Sequence, residues 1–252
     1  MVSLVVGDCG PVSAGANGVS TAILQEKGFL MQKQTGFRLD FCLVWLIALV
    51  VSGCGHSVRP MKIASNAGSQ AVAKYDANKD GALDFDELAK APGLRAGIAT
   101  IKKLVKPRGE APTENDIRSA KITAAEIDAR IQEWKARGVG RIRVACHVTR
   151  VAGNGRSEPI AGAEVRFVPE DFLGPDLPTG EGTTDASGTA LISQPGQGEG
   201  DKVLGMPPGF YRVEITKGSE IPSLYNSATI LGQEVAADAV GITGKLVFRL
   251  EY

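Results

Sequence analysis

The run "DANKDGALDFDE", Asp76 to Glu87, places oxygen-bearing side chains at nearly every other position around one glycine. Asp76, Asn78, Asp80, Asp84 and Glu87 supply carboxylate and amide oxygens, the hard donors that calcium takes in sets of six to eight. A loop of this length can wrap such a set round one ion. Gly81 stands where a sharp turn calls for a residue without a Cβ. A plain polar surface loop is the alternative, because acids and glycine are common in turns. The neighbours favour a metal loop set between ordered elements. Ala71, Val72 and Tyr75 form an apolar helical face before it, and Leu88 follows it.

The spacing D-x-[DN]-x-[DN]-G-x5-E resembles the calcium loop of the EF-hand family without a mismatch. That resemblance implies a role for each position. Asp76, Asn78 and Asp80 are the first side-chain ligands, Ala82 gives a backbone carbonyl, Asp84 acts through a water, and Glu87 closes the site with both oxygens. Leu83 then points to the core and bridges to a partner loop. The partner predicted for it is "NDIRSAKITAAEIDARIQEW". Aligning Glu126 with Glu87 puts Asn115 at the first loop position and Ile122 opposite Leu83. Ile117, Ser119 and Ala120 then fall on the remaining ligand and glycine positions, so this hand keeps the outline and lacks the oxygens. An ordinary helix capped by Thr123 and Glu126 is the other reading of the same residues. Ile127, Ile131 and Trp134 follow at helical spacing.

The whole chain narrows the classes. Its 252 residues leave room for one or two domains, and 28 Lys plus Arg against 28 Asp plus Glu give no basic excess for nucleic acid. Only two histidines occur, which limits zinc and His-based chemistry, and 31 glycines with few aromatics favour β turns. Cys9, Cys42, Cys54 and Cys146 form neither a disulfide framework nor a CxxC knuckle. Neither G-x-S-x-G nor H-E-x-x-H nor a phosphate loop appears, and no catalytic constellation can be assembled.

The apolar run "FCLVWLIALVV", Phe41 to Val51, falls short of the about 20 residues a membrane-spanning helix needs and suits the core of a signal peptide. Lys33 and Arg38 precede it, and "VSGC" follows it. The last four residues resemble the bacterial lipobox, which implies a diacylglycerol on the Cys54 thiol and Cys54 as the first mature residue. A plain secretory signal, or a short buried strand with an incidental cysteine, is the alternative. A signal core starting at residue 41 lies far from Met1 and is well placed relative to Met31, so the start is open between Met1 and Met31. On the Met31 reading, residues 1–30 are an unstructured extension and 31–54 the signal peptide. Gly55 and His56 carry no acidic inner-membrane retention signal, which points to the outer membrane or cell surface. Residues 55–69, polar and small, read as a flexible tether.

Residues 70–138 then read as a small all-α pair of hands, with Pro92 and Pro107 stopping helices and Gly138 capping the last one. From 139 to 252 the period changes to two. Ile142, Val144, Cys146 and Val148 alternate with polar residues, as do Ala163, Val165 and Phe167, then Tyr211, Val213 and Ile215, then Leu246, Phe248 and Leu250. Such strands, separated by turns, predict an antiparallel β-sandwich. Cys146 and His147 are neighbours on a strand and so point to opposite faces, which denies them a nucleophile–base pairing. "EDFLGPD", Glu170 to Asp176, reads as a solvated turn.

The order "EPIAGAEVRFVPED", "TTDASGTALIS", "PPGFYRVEITK" resembles a carboxypeptidase regulatory-like domain of the transthyretin-like sandwich type. Thr184, Asp185 and Gly188 carry its middle turn, and Pro208, Gly209 and Tyr211 open its next strand. Domains of this kind are usually non-catalytic, which implies a stalk, adhesion or accessory role. The expectation is therefore a calcium-binding, membrane-anchored exported lipoprotein. A carbohydrate- or polymer-binding surface module and an accessory subunit of an extracytoplasmic enzyme complex are the alternatives. The polymer reading requires exposed aromatics from the set Phe167, Phe172, Phe210, Tyr211, Tyr225, Phe248 and Tyr252.

Overall fold

A computed structural model describes residues 62–104, 112–153, 155–196, 200–239, 241–242 and 244–252. The expected signal peptide, Cys54, residues 55–61 of the tether and Pro107 lie outside the described residues.

Helix α1 (Ala67–Tyr75) begins three residues before the expected Gln70 and buries Ala67, Gly68, Ala71 and Tyr75. The end of the expected tether is packed rather than flexible: Ile63 is buried, and Ala64 N donates to Leu173 O at 3.0 Å. Ile63 supplies the apolar side chain that a solvated linker would lack, and its burial favours order over chain entropy. After the Asp76–Glu87 loop comes one 3-10 turn, Glu87–Lys90, and then α2 (Pro92–Ala96) and α3 (Ile98–Ile101). Pro92 therefore starts a helix where a stop was predicted. At a first helical position its missing N–H has no bond to lose.

Helix α4 (Glu114–Arg118) is capped by Thr113, and α5 (Ala124–Arg137) by Thr123 at its start and by left-handed Gly138 at its end. Between the helices, β1 (Ala82–Leu83) pairs antiparallel with β2 (Ile122–Thr123), with Leu83 opposite Ile122. Both of those side chains are fully buried, as are Ile127, Ile131 and Trp134 of α5, so the pairing that joins the two loops lies within the same apolar core as that helix.

The remaining strands are β3 (Val144–Val151), β4 (Ser157–Pro159), β5 (Glu164–Pro169), β6 (Gly180–Thr183), β7 (Thr189–Pro195), β8 (Lys202–Leu204), β9 (Gly209–Thr216), β10 (Gly232–Val235) and β11 (Leu246–Leu250). They form one sheet of nine strands in the order β10-β9-β5-β6-β7-β3-β11, with β4 beside β3 and β8 beside β7. Its inward residues are the predicted alternating ones, all buried apart from the half-buried Ile142. Two differences from an antiparallel two-sheet sandwich stand out. The path is continuous, joined at β6–β7 by a single pairing of Glu181 with Ser193, and β11 runs parallel to β3. β11 follows β10, which lies at the opposite edge of the path, so its neighbour is β3, a strand far away in sequence and not joined to it by a hairpin. Phe167 on β5 and Phe248 on β11 lie 6.2 Å apart although several strands separate them along the path. The sheet thus curls into a half-barrel over one core.

Candidate metal site

Backbone hydrogen bonding at the end of α1 delivers the loop, with Asp76 N donating to Val72 O at 2.9 Å. Positive φ at Lys79 (60°) and Gly81 (87°) then turns the chain back on itself. A Cβ at Gly81 would meet open space, so glycine is favoured there by its φ and not by crowding. The side chains fold inward onto the backbone. Asp76 Oδ2 accepts from Gly81 N at 2.9 Å, Asn78 Oδ1 from Asp80 N at 2.8 Å, and Asp80 Oδ1 from Ala82 N at 3.0 Å. Asp84 Oδ1 accepts from both Asp86 N and Glu87 N at 3.0 Å. Ala82, whose side chain has no part in the chemistry, enters β1.

Glu87 closes the circuit. It is buried, and its Oε1 accepts from Ala77 N at 2.8 Å and Asn78 N at 3.2 Å, while Oε2 accepts from Asp84 N at 3.0 Å. The last residue of the loop is thereby tied to its beginning. Asp76 Oδ1, at the first ligand position, is buried and accepts no hydrogen bond. A carboxylate oxygen left this way is costly, and a cation or a bound water would satisfy it. By that atom and by donor type the residues fit a hard dication such as calcium. Their placement is a different matter. Among the described residues no three His, Cys, Asp or Glu side chains form a group that could hold a metal ion, and N–H donors occupy most of the loop's side-chain oxygens.

One of those partners is a charged side chain from the other loop. Lys121 Nζ lies 2.5 Å from Asp80 Oδ2. This hydrogen bond holds the Asp80 carboxyl below its ordinary range, and the same pairing raises the Lys121 ammonium.

The second stretch is organised by capping. Asn115 and Ile117 lie inside α4 rather than in a loop, because Thr113 and Asp116 form a reciprocal cap at its start. Glu126 accepts from Thr123 N at 2.9 Å and from Lys102 Nζ at 2.6 Å. Burial opposes its charge, but Lys102 and Thr123 outweigh burial and hold the carboxyl low. A cleft of about 440 Å³ lies between the loops, lined by Asp84, Phe85, Asp86, Arg118, Ser119 and Lys121. Arg95 and Arg118 stack on the Phe85 ring at 3.9 and 4.9 Å.

Two buried polar clusters join the helices to the sheet, and the sequence reading missed both. Glu170, placed in a supposed solvated turn, is 1% exposed and accepts from Gly93 N of α2 at 2.8 Å. Burial pushes its carboxyl up to about 7. Phe172 and Leu173 beside it are also buried, and their apolar character was the available signal. Arg130 of α5, 3% exposed, bonds Glu234 of β10 at 2.6 Å and Asp238 at 2.7 Å. Its signal was position, since it lies in the stripe Ile127, Arg130, Ile131, Trp134. The approach at this interface is close: a Cβ on Gly232 would overlap the Pro92 carbonyl, and one on Gly93 would meet the Tyr211 backbone.

The other singled-out residues are placed as follows. Cys146 is buried, with its thiol pushed up to about 12 by burial, and half-buried His147 is the next residue along β3. Asp185 Oδ1 accepts from Ser187 N and Thr189 N within its own turn. Of the seven aromatics considered for a polymer-binding stripe, Tyr252 alone is exposed. No helix among the described residues is long and apolar enough to cross a membrane. Comparison of the chain with protein-family models, curated proteins and solved structures yields no match.

Proposed function

We propose that this chain is an exported, lipid-anchored calcium-binding protein without enzymatic activity, in which calcium at Asp76–Glu87 braces a helical module against a β domain. In this reading the helical part is an EF-hand-like pair with one working loop, and the half-barrel is a variant of the transthyretin-like sandwich. Asp76, Asn78, Asp80, Ala82, Asp84 and Glu87 hold the ion, and Cys54 carries the lipid. The observation that carries the reading is the loop itself: hard oxygens at every template position, with the buried Asp76 Oδ1 lacking a donor. Calcium would supply the positive charge that lets these carboxylates sit together.

A structural role follows from how the loop is mounted. Leu83 packs with Ile122, Ile122 leads into α5, and α5 is tied to β10 through Arg130 and Glu234. Ordering at the loop therefore reaches the sheet through packed and ion-paired side chains. Extracellular calcium modules bind with Kd on the order of 10⁻⁴–10⁻³ M, so such a brace stays filled where calcium is millimolar. Thermal unfolding of the full-length chain with and without ~5 mM calcium tests the brace. The expected result is one cooperative transition for helices and sheet, stabilised by about 1–2 kcal/mol. Stabilisation of the helical signal alone would contradict it. Membrane fractionation tests the anchor: Cys54→Ser is expected to move the protein to the soluble fraction.

A further inference from the structure

The second loop brings no ligands of its own, yet it delivers a cation to the first. Lys121 sits on the turn between α4 and β2, immediately before Ile122. Since Ile122 pairs antiparallel with Leu83, Lys121 falls beside Asp84, and its side chain reaches Asp80 Oδ2 at 2.5 Å. The carboxylates of Asp84 and Glu87 add their attraction. One ammonium thus interacts with three of the loop's acids, in the region where the charge of a metal ion would act. Asp80 Oδ1 is occupied by Ala82 N, so Oδ2 is the oxygen that Asp80 has left to offer a metal, and Lys121 covers it.

Resting on the calcium reading above, we propose that Lys121 is a tethered competitor for the calcium loop. It neutralises Asp80 when calcium is absent and leaves that carboxylate when calcium binds. Two consequences follow. The metal-free loop is relieved of part of its self-repulsion and keeps its shape. Binding then has to break an ion pair and leave an ammonium near a dication, which weakens the affinity. The degenerate hand has, on this view, a regulatory use: it sets the calcium concentration at which its partner fills. The pair is half-exposed on both sides, so its effect is graded and falls with ionic strength.

Calorimetric calcium titration of the full-length wild type, Lys121→Gln and Lys121→Arg tests this. Side-chain exposure of 53% makes either substitution compatible with folding. Lys121→Gln is expected to tighten Kd roughly 3- to 10-fold, while Lys121→Arg keeps the charge and stays within about 2-fold of wild type. As a second readout, metal-free Lys121→Gln is expected to melt below wild type and to gain more on adding calcium. A wild-type protein that binds calcium, with Lys121→Gln binding equally or more weakly, overturns the competitor role and leaves the calcium site standing. Absence of binding heat in all three proteins overturns both.

Discussion

The Asp76–Glu87 loop and the Asn115–Glu126 stretch meet through the same pair of buried side chains, Leu83 and Ile122, and deploy their polar residues in different ways. In the first, carboxylates turn inward, accept N–H groups of their own loop and leave Asp76 Oδ1 without a donor. In the second, Asp116 and Glu126 close helix caps and Lys102 neutralises Glu126. An acid at a helix N-terminus is satisfied by backbone N–H groups and dipole and needs no metal. An acid gathered with others in a loop is satisfied only in part. Two segments of similar outline thus differ in whether the protein alone can complete their hydrogen bonding.

That comparison can be broken most forcefully where both loops hang on the sheet. Arg130→Leu leaves Glu234 buried without its cation, and a loss of about 3–5 kcal/mol is expected in denaturant unfolding. Adding Glu234→Leu should restore much of it, because the pair removed together leaves no stranded charge. Next comes Leu83→Ala, which removes the contact shared by the loops. It is expected to cost roughly 3–4 kcal/mol and to weaken calcium binding together with stability, whereas a loss of stability alone would separate the loops from each other.

Acids at the interface and in the loop should also answer pH in opposite senses. Glu170 has its folded-state value raised by burial from 4.5 to about 7, so the folded protein holds the proton more tightly than the unfolded chain does. Its contribution is fully present below pH 4.5 and is lost as pH rises to about 7, a difference of about 3 kcal/mol. Glu170→Gln should remove that slope in melts taken between pH 4.5 and 8. Asp80, held low by Lys121, contributes above its ordinary range and loses its contribution as acid protonates it. The smallest effect sharpens the contrast: Thr123→Ala removes a cap, should cost about 1 kcal/mol, and should leave calcium binding in place.

The chain announces some of this more clearly than the rest. The strands are legible because a half-buried strand repeats every two residues, as Val144, Cys146 and Val148 do, and as Ala163, Val165 and Phe167 do. The loop is legible because its donors are adjacent in sequence. Glu170 is not, since its burial depends on Gly93, a distant residue whose N–H reaches it only after α2 has packed on the sheet. The direction of β11 is hidden for the same reason: alternation marks Leu246, Phe248 and Leu250 as inward but is blind to which strand lies alongside. Lys121 shares this character, being unremarkable in its own segment and significant only once Leu83 and Ile122 pair.

Calorimetric calcium titration of the full-length wild type beside Glu87→Gln and Glu126→Gln tests the central claim most directly. The account predicts one calcium per chain for wild type and for Glu126→Gln, and no binding for Glu87→Gln. Binding that survives Glu87→Gln, or that disappears with Glu126→Gln alone, would contradict it.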